Sequence, residues 1–182
     1  MVELYFIRHG QTKANAEGIL TGTIDSELTQ KGIDDAHEIA NELNIEFDKY
    51  YCSPLVRTHQ TLYAIKGNVD FIIDERVTEV YSGDWQGLYK KELPEEQFIL
   101  YKNGLIDPPN GESLTDVEER AKSFLKFIFS TYINNEKILV VTHNAFMRTL
   151  KRLFFEKDKV VEPKNLEVFI VNEEMYKKLK NI

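Results

Sequence analysis

Lys137-Ile138-Leu139-Val140-Val141-Thr142-His143 is the stretch that decides the fold. Ile138 to Val141 is a continuous apolar run, so a strand formed there has no face to give to water. Strands buried on both faces belong to parallel sheets covered by helices. The flanks agree. Ser113 caps a predicted helix from Leu114 to about Ile133, with Val117, Ala121, Phe124, Leu125 and Ile128 as its apolar stripe. Ser113 and Asp116 have capping-box spacing, with Asp in place of Glu or Gln. After His143 a second helix is expected from about Ala145 to Phe154.

Reading toward the N-terminus, Val2-Glu3-Leu4-Tyr5-Phe6-Ile7 is a second apolar strand, and it also ends on a histidine, His9. Residues 10–28 read as a long loop. Thr29 caps a helix to about Leu43, with Ile33, Ala36, Ile39, Ala40 and Leu43 on one face. Lys49 to Cys52 is a short strand. A helix start at Ser53-Pro54, with Pro in the first turn, runs to about Ile65. Val69 to Ile73 is a further strand. Residues 74–112 are irregular, apart from a short helix near Glu95–Lys102. Leu166 to Val171 is a late strand, and residues 173–181 read as either a short helix or a hairpin arm. The expected fold is α/β, three-layered, with a mostly parallel central sheet and helices on both faces. Ligands in such folds sit beyond the carboxyl ends of the strands. His9 and His143 share one crevice if their strands are neighbours.

The chain has 182 residues, which suits a single domain over 1–182 with a short variable segment at about 80–112. A net charge of −7 argues against a nucleic-acid partner, which calls for a basic stripe. Only six of the 23 basic residues are Arg, so Arg8 and Arg57 are worth following. The lone cysteine, Cys52, reads as a small buried hydrophobe. Val2 to Ile7 is too short, and too interrupted by Glu3, for a signal peptide or membrane span. A cytoplasmic location without a membrane partner is the expectation.

Four stretches can supply one phosphate-handling site: Arg8-His9-Gly10, Ser53 to Thr58, Glu79, and Thr142-His143. A neutral imidazole at His9 is a good nucleophile toward phosphorus, and a phosphohistidine splits one hard displacement into two easier ones. Arg8 and Arg57 can each grip two phosphoryl oxygens in a fork, which Lys cannot do. His143, if protonated, adds a third cation. Glu79 is the carboxyl group for protonating the leaving group and then activating water. Taken singly, each of these is an ordinary residue. His37 and His59 read as packing or surface groups, and Tyr89, Lys90, Lys91 and Lys102 as either substrate-reading residues or a charged surface loop. A metal at His9 and His143 needs a third ligand at recognisable spacing, and none is present.

In chain order these pieces resemble the histidine phosphatase superfamily, the phosphoglycerate mutase-like proteins. The matching segments are Arg8-His9-Gly10-Gln11-Thr12-Lys13-Ala14-Asn15, Leu28-Thr29-Gln30-Lys31-Gly32, Ser53 to Thr61, Glu75 to Glu79, Gly111-Glu112-Ser113 and Val140 to His143. The resemblance implies that His9 is phosphorylated. Arg8, Asn15, Arg57 and His143 then surround the phosphoryl group, and Glu79 is the proton donor. It also implies no metal and no organic cofactor. Three positions depart from the common pattern: Asn144 stands where Gly is usual, Glu27 where Pro is usual, and Leu20-Thr21-Gly22 is closer to the mutase form of its loop.

The segment 80–112 is short and contains no Arg. A mutase must keep a bisphosphate from water inside a strongly cationic enclosure. The favoured reading is therefore a phosphomonoesterase of histidine acid phosphatase type, acting on a small phosphorylated metabolite. The alternative is phosphoglycerate mutase-type transfer. A silent binding module on the same fold is a third reading, and it would be expected to lose His9, Arg57 or Glu79.

Overall fold

A computed structural model describes residues 1–156 and 160–180. In chain order the elements are β1 (Glu3–Arg8), α1 (Lys13–Glu17), α2 (Gln30–Leu43), β2 (Lys49–Cys52), α3 (Val56–Lys66), β3 (Ile72–Ile73), α4 (Glu95–Lys102), α5 (Leu114–Thr131), β4 (Lys137–Thr142), α6 (Asn144–Arg152), β5 (Val168–Asn172) and α7 (Glu173–Lys180). Three single 3-10 turns lie between β3 and α4.

The strand order is β3-β2-β4-β1-β5. β1, β2, β3 and β4 pair in parallel, and β5 runs antiparallel to β1. β4, the stretch read first, is therefore central. Its residues alternate between two cores, as a two-residue period requires. Ile138 and Val140 join Leu4, Phe6 and Tyr51 under α5 and α6, against Phe124, Ile128 and Phe146. Leu139 and Val141 join Tyr5, Ile7 and Cys52 under α2 and α3, against Ala36, Leu62 and Ile65. All four β4 residues are fully buried. Each side chain of that size contributes about 1.5–3 kcal/mol by leaving water.

Several boundaries differ from the sequence reading. The loop 10–28 contains α1, which Thr12 caps with its side chain while the Asn15 side chain accepts from the Thr12 N–H. Gly18 ends it in a left-handed conformation, φ 76°. α3 begins at Val56 rather than Ser53, because Ser53 Oγ is occupied in the site and in accepting Leu55 N–H at 3.2 Å. The Asp25 carboxylate instead accepts the Val56 N–H at 3.0 Å, a good place for an anion at a helix start. The strand expected at 69–73 pairs only at Ile72 and Ile73, both exposed at the sheet edge. Residues 173–180 are helical, and Asn172 Oδ1 accepts Met175 N–H. Residue 181 of that predicted segment lies outside the described residues.

Candidate active site

The β1–β4 register sets Arg8 opposite Thr142, and His9 N–H donates to Thr142 O at 2.9 Å just past the strand ends. His9 and His143 thus meet with ring centroids 5.2 Å apart. Backbone contact fixes the loop that carries His9. A Cβ on Gly10 would stand 2.7 Å from Gly32 O, and one on Gly32 would stand 2.2 Å from Gln11 O. Thr29 Oγ1 accepts Gly32 N–H at the cap of α2 and donates to Gln11 Oε1 at 2.9 Å, and the Thr29 N–H donates to Gln11 O at 2.9 Å. The two glycine-bearing motifs are one packed unit.

His9 is 4% exposed. Its Nδ1 donates to Gly10 O at 2.7 Å, which leaves the lone pair on Nε2. Burial, then the charges of Arg57 and Arg8, push its pKa well below the ordinary histidine value. Both causes favour the neutral imidazole.

His143 is fully buried as the N-cap residue of α6. Arg57 Nε donates to its Nδ1 at 3.2 Å, so the ring proton is on Nε2, which donates to Ser53 Oγ at 2.7 Å. Burial, followed by Arg57, pushes this pKa well down as well. Both causes favour the neutral ring over the protonated one. The other Arg57 nitrogens donate to Ile24 O at 2.9 Å and Gly22 O at 2.8 Å. In this state Arg57 braces His143 and the loop 22–25 from behind the cleft.

Arg8, His9, Asn15 and Glu79 do line the cleft. Arg8 Nη1 donates to Pro163 O at 2.6 Å, while its Nε is buried without a partner among the described residues. Asn15 Oδ1 accepts from Thr12 N–H and from Asn165 Nδ2, so its amide NH2 is left to donate. Glu79 sits on the N-terminus of α6, where Oε1 accepts from Ala145 and Phe146 N–H at 3.1 Å each. Its segment is held by Thr142 Oγ1 donating to Val77 O at 2.6 Å, and by Arg120 Nη1 donating to Thr78 O at 2.7 Å. Arg120 is itself fixed by two bonds to Glu112.

Residues outside the sequence reading complete the site. Asn165 donates to His9 O at 2.8 Å from the turn before β5. Arg148 and Glu162 line the cleft with Lys90 and Lys102, two of the four residues for which substrate reading and a charged surface loop were both open. Arg148 left one signal, an Arg within the otherwise apolar or small run Ala145 to Leu150. Asn165 and Glu162 left none. Of the departures, Glu27 pairs with Lys13 at 2.6 Å in solvent, away from the cleft, whereas Asn144 lines it. Within residues 80–112, Trp85, Leu93 and Tyr101 form a small separate core. Its ring pairs include Trp85 with Tyr101 at 5.6 Å. His37 is exposed, and His59 bonds Ser53 O and packs on Phe71. Among the described residues no helix is long and apolar enough to cross a membrane.

The chain matches the histidine phosphatase superfamily (branch 1) over residues 4–169. It is 31% identical over 158 residues to a protein named putative phosphoserine phosphatase 2 of Hydrogenobacter thermophilus, covering 82% of this chain and 77% of that one. It is 34% identical over 161 residues to a 2,3-bisphosphoglycerate-dependent phosphoglycerate mutase of Rhizobium etli, covering 81% and 76%. Among solved structures, Bacillus stearothermophilus YhfR superposes with a TM-score of 0.81 at 30% identity, covering 94% and 91%. The ordered motifs, the sheet and these likenesses agree, and the chain belongs to the histidine phosphatase superfamily.

Proposed function

We propose that this protein is a phosphomonoesterase that works through a phosphohistidine at His9. One observation carries the reading: a buried neutral imidazole with its Nε2 lone pair free stands in the same cleft as the unpartnered Nε–H of Arg8. His9 Nε2 attacks phosphorus, and the bond to the ester oxygen breaks. Glu79, protonated at that stage, gives its proton to the departing alkoxide, and the alcohol leaves. Glu79 then takes a proton from water, whose oxygen attacks the phosphohistidine. Phosphate and free His9 result. Arg8, Arg57 and the Asn15 amide stabilise charge on the equatorial oxygens, with Ser53 and His143 behind them. Arg57 joins them by exchanging a loop carbonyl for a phosphoryl oxygen.

This is chemistry of the histidine acid phosphatase type, needing no metal or organic cofactor. The substrate is a small phosphorylated metabolite, and the phosphoserine phosphatase relative supports a phosphorylated amino acid as the first candidate. Residues 80–112 act as the specificity segment of a single domain. A cytoplasmic location belongs to the same reading, and the unpaired, buried Cys52 suits a reducing compartment.

The mutase relative keeps phosphoglycerate mutase-type transfer as the second reading. The test is phosphate release from a panel of phosphomonoesters, alongside 3-phosphoglycerate with its bisphosphate primer. Phosphate release that His9→Ala lowers by about a thousandfold or more is the expected result. Rapid isomerisation without phosphate release would overturn it in favour of the mutase.

A further inference from the structure

The far wall of the cleft carries charges that the chemistry at His9 does not use. Arg148 lies on α6, one turn beyond Asn144, and is 5% exposed. It packs over the Tyr101 ring at 5.4 Å, and its Nη1 donates to Lys102 O at 3.0 Å. Among the described residues its Nε is buried with no partner, and it has no ion pair. A guanidinium buried without a counter-ion is costly, and here it faces a cleft that admits one.

Glu162 lines the same cleft at its exposed rim. Asn144 Nδ2 donates to its Oε1 at 2.7 Å. Burial alone would raise this carboxyl's pKa. The Asn144 bond and the charges of Arg148, Lys102 and Lys90 outweigh burial and hold it below the usual range. The wall thus presents a buried, fixed cation, Arg148, with Lys90 and Lys102 beside it and one steered anion, Glu162, among them. A second phosphate would meet Glu162, and an ammonium alone would leave Arg148 uncompensated. A group bearing both charges answers both.

We propose that Arg148 and Glu162, with Asn144 steering Glu162, form a distal subsite for phosphomonoesters whose far end carries an anion and an ammonium together, as a phosphorylated amino acid does. The proposal rests on the phosphomonoesterase reading of the same cleft. Arg148 takes the carboxylate and Glu162 the ammonium. Asn144, at the position where the family commonly has Gly, serves as the arm that aims Glu162.

The test uses three substrates with the parent and three variants. O-Phosphoserine and 3-phosphoglycerate differ only in ammonium against hydroxyl, and phosphoethanolamine lacks the carboxylate. Glu162→Gln is expected to lower the kcat/KM ratio of phosphoserine to 3-phosphoglycerate by about tenfold, the size of one charge-assisted hydrogen bond. Asn144→Ala should move the same ratio in the same direction by less. Arg148→Gln should lower the ratio of phosphoserine to phosphoethanolamine. Because Arg148 is buried, its variant is read only if its melting curve stays cooperative; Glu162 is at the rim, and its result stands alone. Equal scaling of all three substrates by Glu162→Gln would overturn the proposal, since Glu162 would then only balance charge. Turnover of other monoesters but none of these three would overturn it too. A parent that releases phosphate from no monoester at all would instead overturn the phosphomonoesterase reading.

Discussion

Arg57 Nε holds His143 Nδ1 at 3.2 Å, so a buried cation fixes the tautomer of a buried imidazole. That contact sends the ring proton to Ser53 and makes one unit of the α3 start and the α6 cap. A planar fork is required for it, because Nε and both Nη groups are engaged at once. Arg57→Lys keeps the charge and loses the fork. We expect kcat/KM toward p-nitrophenyl phosphate to fall by about a hundredfold or more, the scale of losing one preorganised transition-state donor. A variant within threefold of the parent would show that charge alone suffices there.

The two buried histidines make stability depend on pH. Both have folded pKa values well below the ordinary value, with burial the leading cause. Unfolding exposes imidazoles that take up protons near pH 6.5, so the unfolded state binds more protons below that pH. Their contribution is complete above pH 6.5 and is lost as pH falls toward the folded values. The slope is at most about 1.4 kcal/mol per pH unit for each imidazole. Denaturant melts between pH 8 and 5 should show it, and His9→Asn should flatten it. An unchanged slope in that variant would refute the assignment.

Gly32 is a packing requirement. Its missing Cβ would stand 2.2 Å from Gln11 O, a backbone atom that cannot turn aside. Gly32→Ala should cost about 3 kcal/mol or more, the upper end for overpacking, and should displace the His9 loop. Thermal melting and phosphate release should fall together. A variant with the parent's melting temperature would show that the loop gives way freely.

Asn165 positions two site residues through one amide, bonding His9 O at 2.8 Å and Asn15 Oδ1 at 3.4 Å. Asn165→Asp sets a carboxylate against two acceptors. It should lower kcat by about tenfold or more, while Asn165→Ala, which removes the bond without repulsion, loses less. Equal activity of the two variants would assign Asn165 to the turn rather than to the site.

How much of this was legible in sequence follows from how local each cause is. β4 and β1 were readable because a two-residue period assigns each side chain its face, and Leu139 and Val140 part accordingly. The pairing of His9 with His143 needed only that two strands be neighbours. α1 escaped notice because its evidence is three residues long, Thr12, Asn15 and Gly18, inside a segment rich in loop formers. β3 was overread because Val69 and Phe71 pack as side chains without joining the ladder. Arg8, Asn15 and Glu79 were singled out through their motifs and line the cleft, and Arg57 was singled out likewise and stands against His143 behind it. Asn165 and Glu162 could not be found, because their roles come from a return of the chain that no nearby pattern announces.

That return has a consequence in time. β1 is flanked by β4 and β5, so its ladder partners are residues 137–142 and 168–172. His9 is synthesised more than a hundred residues before either of the strands that flank β1. Contacts so distant along the chain make folding slow, and an unpaired β1 is a sticky edge until they form. On the proposed mechanism, catalysis at His9 cannot precede the arrival of the strand that carries His143, and phosphate release then serves as a clock for completed folding.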